Sequence, residues 1–200
     1  MHAPAQKRPT ALAIWLVIAG IVGLGAAFTL TIEKIASLED PGHVAGCDFS
    51  VLVQCGANLA SEQGSVFGFP NPLIGLMGWM APLVVGMALL AGARVARWFW
   101  ALFTLGMTFA FGFVCWLIWQ SIFVLGTLCP WCMVTWSVTI PTFYAVLLHS
   151  VRIGAIPLPQ GARKLADTLM GWLPLLATVS YLIIAVIAAV RLPLLDQIFG

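Results

Sequence analysis

The stretch ALAIWLVIAGIVGLGAAFTLTI, Ala11 to Ile32, contains no ionisable side chain. As a helix it is long enough to cross a hydrocarbon core, which takes about 20 apolar residues. Four further stretches repeat the pattern: Pro72 to Ala91, Trp98 to Ile122, Cys129 to Leu148 and Gly171 to Val190. All are too continuously apolar for amphipathic soluble helices. Lipid offers the backbone no hydrogen bonds, so each stretch must satisfy its own groups internally, as a helix does. The whole chain agrees, with 62% of its 200 residues hydrophobic and 8% charged, against roughly 45–50% and about 25% in soluble domains. Its mean hydropathy is +1.04. The fold class is therefore all-α integral membrane, a helical bundle. The first stretch follows Lys7 and Arg8 as a signal peptide would. It exceeds the roughly 7–15 residues of a signal-peptide core and lacks a small-residue cleavage site, so it is expected to be retained.

Cationic side chains concentrate on the cytoplasmic side of membrane proteins. Lys7 and Arg8 precede the first stretch, Arg94 and Arg97 separate the second and third, and Arg152, Arg163 and Lys164 separate the fourth and fifth. These segments are expected in the cytoplasm. The segment from Glu33 to Asn71 holds Glu33, Glu39, Asp40, Asp48 and Glu62 against the single cation Lys34, and Gln120 to Leu128 is uncharged. Both are expected outside, with the C-terminus after Arg191. The formal charge of +2 comes with no basic, aromatic-rich patch for nucleic acid. Ion or proton transport would place ionisable groups within the spans; the second to fifth have none between their ends.

The charges alone put Cys47, Cys55, Cys129 and Cys132 on one outer side, where disulfides persist. Cys47 and Cys55 are read either as a static staple or as a redox pair. The run Cys129-Pro130-Trp131-Cys132 stands at a helix start, where unpaired N–H groups and the helix dipole stabilise a thiolate on the first cysteine. Pro130 suits the first turn. A redox role is the reading for this pair. Zinc is the rival for four thiolates, but the seven residues between Cys47 and Cys55 exceed the usual spacing of about two to four; no metal site is expected. Cys115 sits among Phe111, Phe113, Val114, Trp116 and Leu117 and reads as apolar packing. His43 and His149 fall on opposite sides, and His2 in a tail.

Cys47-Asp48, Cys55, Ser61 six residues later, Asn71 before Pro72, and Cys129-Pro130-Trp131-Cys132 heading the fourth span together resemble the vitamin K epoxide reductase family, over about Ala11 to Leu148. The resemblance is closest to bacterial members. It implies a four-helix bundle around a quinone of the menaquinone or ubiquinone type, with residues 1–150 as the catalytic domain and 151–200 as a cytoplasmic linker and fifth helix. It implies that a loop disulfide shuttles electrons, with Cys47 meeting an extracytoplasmic thioredoxin-fold partner of the DsbA type. Cys55 then attacks Cys129, and Cys132 lies against the quinone. The location implied is a bacterial inner membrane. Many bacterial members continue into a fused thioredoxin-like domain, which this chain is expected to lack. Physiological reduction of a quinone epoxide by the same cysteines is the alternative within the enzyme class. A disulfide-stapled transporter and a structural subunit are the readings outside it.

Four further residues carry two readings each. Trp136 lies one turn beyond Cys132 on the same helix face; it contacts the quinone or is ordinary packing. The family more familiarly has a tyrosine there. Asn71 donates its amide to a quinone carbonyl or caps the second span. Ser61 orients the outer cysteines or caps a turn, and Asp48 tunes Cys47 or solvates the loop. Val51, Leu52, Val53, Val66, Phe67 and Phe69 give the outer segment apolar surface, costly to leave in water. It is expected to fold over the bundle mouth as a lid. Gly154, Pro157, Pro159 and Gly161 mark a linker before the fifth span.

Overall fold

The computed structural model describes residues 9–192. The expectations on His2, on Lys7 and Arg8, and on a C-terminus after Arg191 lie at least partly outside those residues. Five helices are long and apolar enough to cross a membrane: α1 (Thr10–Glu39), α3 (Asn71–Leu90), α4 (Arg97–Trp119, continued by a π-helical turn, Gln120–Leu125), α5 (Pro130–Arg152) and α7 (Leu173–Arg191). Two shorter helices are α2 (Gly56–Ala60) and α6 (Gln160–Gly171). The chain is a multi-pass, all-helical membrane protein.

Three boundaries differ from expectation. Helix α1 runs on to Glu39 instead of ending at Ile32, because Glu33 and Lys34 find partners in the following loop. The uncharged turn after Ile122 begins as a helix and stops only at Gly126, whose φ of 68° is left-handed; glycine adopts that conformation without a Cβ penalty. The segment expected as a linker contains α6. Its Ala166, Leu169 and Met170 pack on Leu147, Leu148 and Val151 of α5, so an amphipathic face forms this helix where Pro and Gly suggested only a connection.

Helices α1 and α3 approach closely because small residues line their contact. A Cβ on Gly23 would lie 2.2 Å from the Trp79 indole, and one on Gly75 would lie 2.9 Å from the Ala27 Cβ. Helix α1 also packs on α5, and α5 on α4, whereas α3 and α4 scarcely touch. A hydrogen bond from Trp15 Nε1 to Thr142 Oγ1, 3.0 Å, ties α1 to α5. Helix α7 lies outside this group against α5, where Ala177 and Ala188 are its buried residues and Tyr144 and Ser180 share a hydrogen bond. Arg94, Arg97, Arg152, Arg163 and Lys164 occupy loops and helix ends opposite the end that holds Cys47, Cys55 and Cys129. The seam makes a prediction. Gly23→Ala should destabilise the detergent-solubilised protein by about 1–3 kcal/mol. Gly25→Ala, whose Cβ meets nothing within 4 Å, should leave the thermal midpoint unchanged or slightly higher.

Candidate functional site

Cys47 and Cys55 form a disulfide with Cα atoms 5.7 Å apart, and Cys129 and Cys132 are thiols. The disulfide segment is held by α1 at both arms. Glu33 Oε2 pairs with His43 Nε2 at 2.7 Å, and Glu33 Oε1 accepts from the Gly46 N–H at 3.1 Å. Lys34 Nζ donates to the Leu59 carbonyl, 2.7 Å, at the end of α2. Asp48 places a carboxylate oxygen within 4.8 Å of the Cys47 and Cys55 sulfurs. Its Oδ1 accepts from the N–H groups of Cys55 (2.6 Å) and Gly56 (2.9 Å), so it caps the start of α2. Ser61 Oγ accepts from the Gly64 N–H at 3.1 Å and donates to the Asn58 carbonyl at 2.7 Å.

Backbone pairing then joins this segment to the second cysteine pair. Leu128 donates its N–H to the Leu52 carbonyl at 2.7 Å and accepts from the Gln54 N–H at 3.0 Å, forming a parallel bridge centred on Val53 and Leu128. Cys55 lies two residues beyond Val53, and Cys129 follows Leu128 directly. Cys47, Cys55 and Cys129 are consequently buried in one apolar cluster with Leu30, Ala45 and Leu59, and Cys132 packs against it. Cys129 is the N-cap of α5, and the Cys132 N–H points at its sulfur, 3.4 Å away. The Cys132 side chain and the N–H groups of Cys132 and Trp131 hold the Cys129 thiol below its ordinary pKa, against burial and the Asp48 charge.

Beneath the cysteines lies a cavity of about 660 Å³ between α1, α3, α4 and α5. Cys132 and Trp136 share its wall, as their spacing on one helix face predicts. Asn58, Ser61, Gly64 and Asn71 line its cysteine end, and Trp98, Phe99 and Leu102 line its far end. Asn71 is not the N-cap of α3, a position held by Pro70. Its Nδ2 donates to the Gln63 carbonyl (2.6 Å) and its Oδ1 accepts from the Val66 N–H (3.2 Å). One amide hydrogen is left over. Of the apolar outer residues, Phe67 lies against Phe113 of α4, centroids 5.8 Å apart. Val51, by contrast, remains 75% exposed. Cys115 is exposed on α4 instead of packed. His43 stands at the cysteine end and His149 against Trp100 near the other end.

A model of the vitamin K epoxide reductase family matches residues 14–147. The chain belongs to that family. The match spans α1 to nearly the end of α5 and includes both cysteine pairs and the cavity; α6 and α7 lie beyond it. No curated protein matches the chain. The vitamin K epoxide reductase family is one of membrane oxidoreductases acting on disulfides and quinones, so this chain is an enzyme of that broad class. Sequence reasoning passed over Asn58, Ser121, Thr127, Glu33 and Lys34. Only the charges of the last two, just past an apolar span, gave a signal.

The Cys129 environment predicts a pH effect. A depressed thiol pKa stabilises the folded, reduced protein fully above the ordinary value near 9, and this is lost as pH falls through the Cys129 pKa. In a Cys115→Ala chain with the loop disulfide intact, ultraviolet thiolate absorbance should therefore rise at a pH below that of a free thiol. Cys132→Ala should move that midpoint upward. An unmoved midpoint would remove Cys132 as the main cause.

Proposed function

We propose that the chain is a membrane thiol oxidase, which generates disulfides in an extracytoplasmic thioredoxin-fold partner and passes electrons through its two cysteine pairs to a quinone. The observation that carries this reading is the position of Cys132, which touches both the buried disulfide cluster and the cluster around Trp136 on the cavity wall. A staple needs no such second pair. The Lys and Arg distribution supports an outward cysteine end, and the resemblance to bacterial members of the family supports a bacterial inner membrane.

The cavity suits a prenylated quinone. Its walls are mainly apolar, its polar side chains gather near the cysteines, and α3 and α4 leave a side open along the bundle for a tail. Trp136 and the spare amide hydrogen of Asn71 are the contacts assigned to the ring; no tyrosine hydroxyl stands at position 136. When bound, a quinone supplies a two-electron, two-proton acceptor. Ser61 and Gly64 at the cavity end, with Phe67 on Phe113, support a lid that excludes water. Residues 1–150 then form the catalytic unit and residues 151–200 an appendage, in keeping with the end of the family match at Leu147.

Each transfer between sulfurs breaks one disulfide as it makes another. A partner thiolate attacks Cys47, the Cys47–Cys55 bond breaks, and Cys55 departs as thiolate. The second partner thiol closes the partner's disulfide and frees Cys47. Cys55 then attacks Cys129 of an oxidised inner pair, releasing Cys132. Attack of Cys47 on Cys55 breaks the Cys55–Cys129 bond, restores the loop disulfide and leaves Cys129 and Cys132 as an inner dithiol. Cys47 is only 4% exposed, so partner attack requires the segment tethered by Glu33 to open.

Loss of single cysteines tests the order. Cys55→Ala and Cys129→Ala should both abolish quinone reduction driven by a reduced thioredoxin-fold protein. A small dithiol that reaches the inner pair should restore turnover to Cys55→Ala alone. Full protein-driven turnover in folded Cys55→Ala, or equal rescue of both, would contradict the order. A lost staple would instead lower stability by about 2–5 kcal/mol and leave turnover in the surviving folded protein.

A further inference from the structure

We infer that Asn58 is a positioning residue, which holds Cys55 in register with Cys129 by a side-chain tie to Thr127 and Ser121. The inference rests on the proposed relay and deepens it. Asn58 lies on α2, three residues beyond Cys55, and Thr127 lies two residues before Cys129. Its Nδ2 donates to Thr127 Oγ1 at 2.9 Å and to its own segment's Gln54 carbonyl at 3.2 Å. Its Oδ1 accepts from Ser121 Oγ at 3.1 Å. Ser121 in turn receives the Thr127 N–H on its carbonyl at 3.2 Å. Ser121 and Thr127 are buried, at 4% and 7% exposure.

Cys55 is thereby anchored to the same short segment on both sides. Before it, the Gln54 N–H binds the Leu128 carbonyl; after it, Asn58 binds Thr127. Asp48 and Lys34 hold the two ends of α2 to its own loop and to α1, whereas the Asn58 amide ties α2 to the segment that carries Cys129. Reacting sulfurs held in one orientation exchange at a high effective concentration. Although Asn58 lines the cavity, its polar groups are committed. Both amide hydrogens and the carbonyl have protein partners, whereas Asn71 retains a hydrogen. Asn58 thus acts on the cysteines and not on the cavity's occupant.

The test uses the full chain in detergent with Cys47→Ala, Cys115→Ala and Cys132→Ala, so that Cys55 and Cys129 have only each other. Oxidised glutathione takes two electrons from this pair, forming one protein disulfide and two reduced glutathione molecules. Mass spectrometry after acid quenching reads the fraction bonded, and its dependence on the glutathione ratio gives the effective concentration. Asn58→Ala and Thr127→Val should each lower it about tenfold, with the double change no worse than either alone. Thr127→Ser, which keeps the hydroxyl, should match the parent. With native cysteines, dithiothreitol as donor and a short-chain ubiquinone as acceptor, Asn58→Ala should leave the quinone KM unchanged. An unchanged effective concentration in folded Asn58→Ala and Thr127→Val overturns the inference while leaving the relay intact. A raised quinone KM with that concentration unchanged also overturns it, assigning Asn58 to the cavity. Failure of the parent to form any Cys55–Cys129 disulfide overturns the relay itself.

Discussion

Two backbone hydrogen bonds, from Leu128 to Leu52 and from Gln54 to Leu128, join the loop that carries one cysteine pair to the turn that carries the other. They are the only sheet-like pairing among the described residues. Every feature of the cysteine end depends on them. Gly126 ends the π-helical turn and directs the chain into the bridge, Asp48 starts α2 immediately after it, and Glu33 and Lys34 fix the flanks from α1. Unpaired backbone groups next to lipid cost several kcal/mol each. The pairing therefore satisfies an irregular segment that otherwise has no place beside a bilayer, and it brings Cys55 and Cys129 into one buried cluster as a consequence.

The cavity arises from a different constraint. Glycines and alanines let α1 and α3 approach until Trp79 lies across Gly23. Helix α5 fills the other flank of α1, and α4 packs on α5 with no matching contact to α3. Close packing on one side leaves the gap on the other. Its depth follows α4 from Ser121 and Gln120 down to Trp98, with the cysteines at the top. The thiol chemistry and the apolar volume meet at Cys132, one turn above Trp136.

The sequence carried the periodic and the local features well. Uninterrupted apolar runs gave five spans, charge asymmetry placed Arg94, Arg97, Arg152 and Arg163 opposite the cysteines, and the Cys129–Cys132 spacing gave a helix start with Pro130 in its first turn. Its failures are of two kinds, side-chain contacts that the folded loops make and one short helix. Nothing near Asn58 signals Thr127, 69 residues away. Asn71 before Pro72 has the local form of a cap, yet its side chain turns back to Gln63 and Val66. Asp48 resembles any loop carboxylate until the fold brings the N–H groups of Cys55 and Gly56 to it. The helix α6 was hidden because Gly and Pro at its borders outweighed a short amphipathic pattern.

The central claim is that electrons leave a protein dithiol outside the membrane and arrive in the cavity. Its direct measurement is the stoichiometry of turnover by the purified full chain in lipid nanodiscs, supplied with a reduced thioredoxin-fold protein and ubiquinone under anaerobic conditions. The account predicts one quinol formed for each partner disulfide, with no turnover when Cys132 is replaced by Ala. Partner oxidation without quinol, or quinol formation that persists in a folded Cys132→Ala chain, would contradict it.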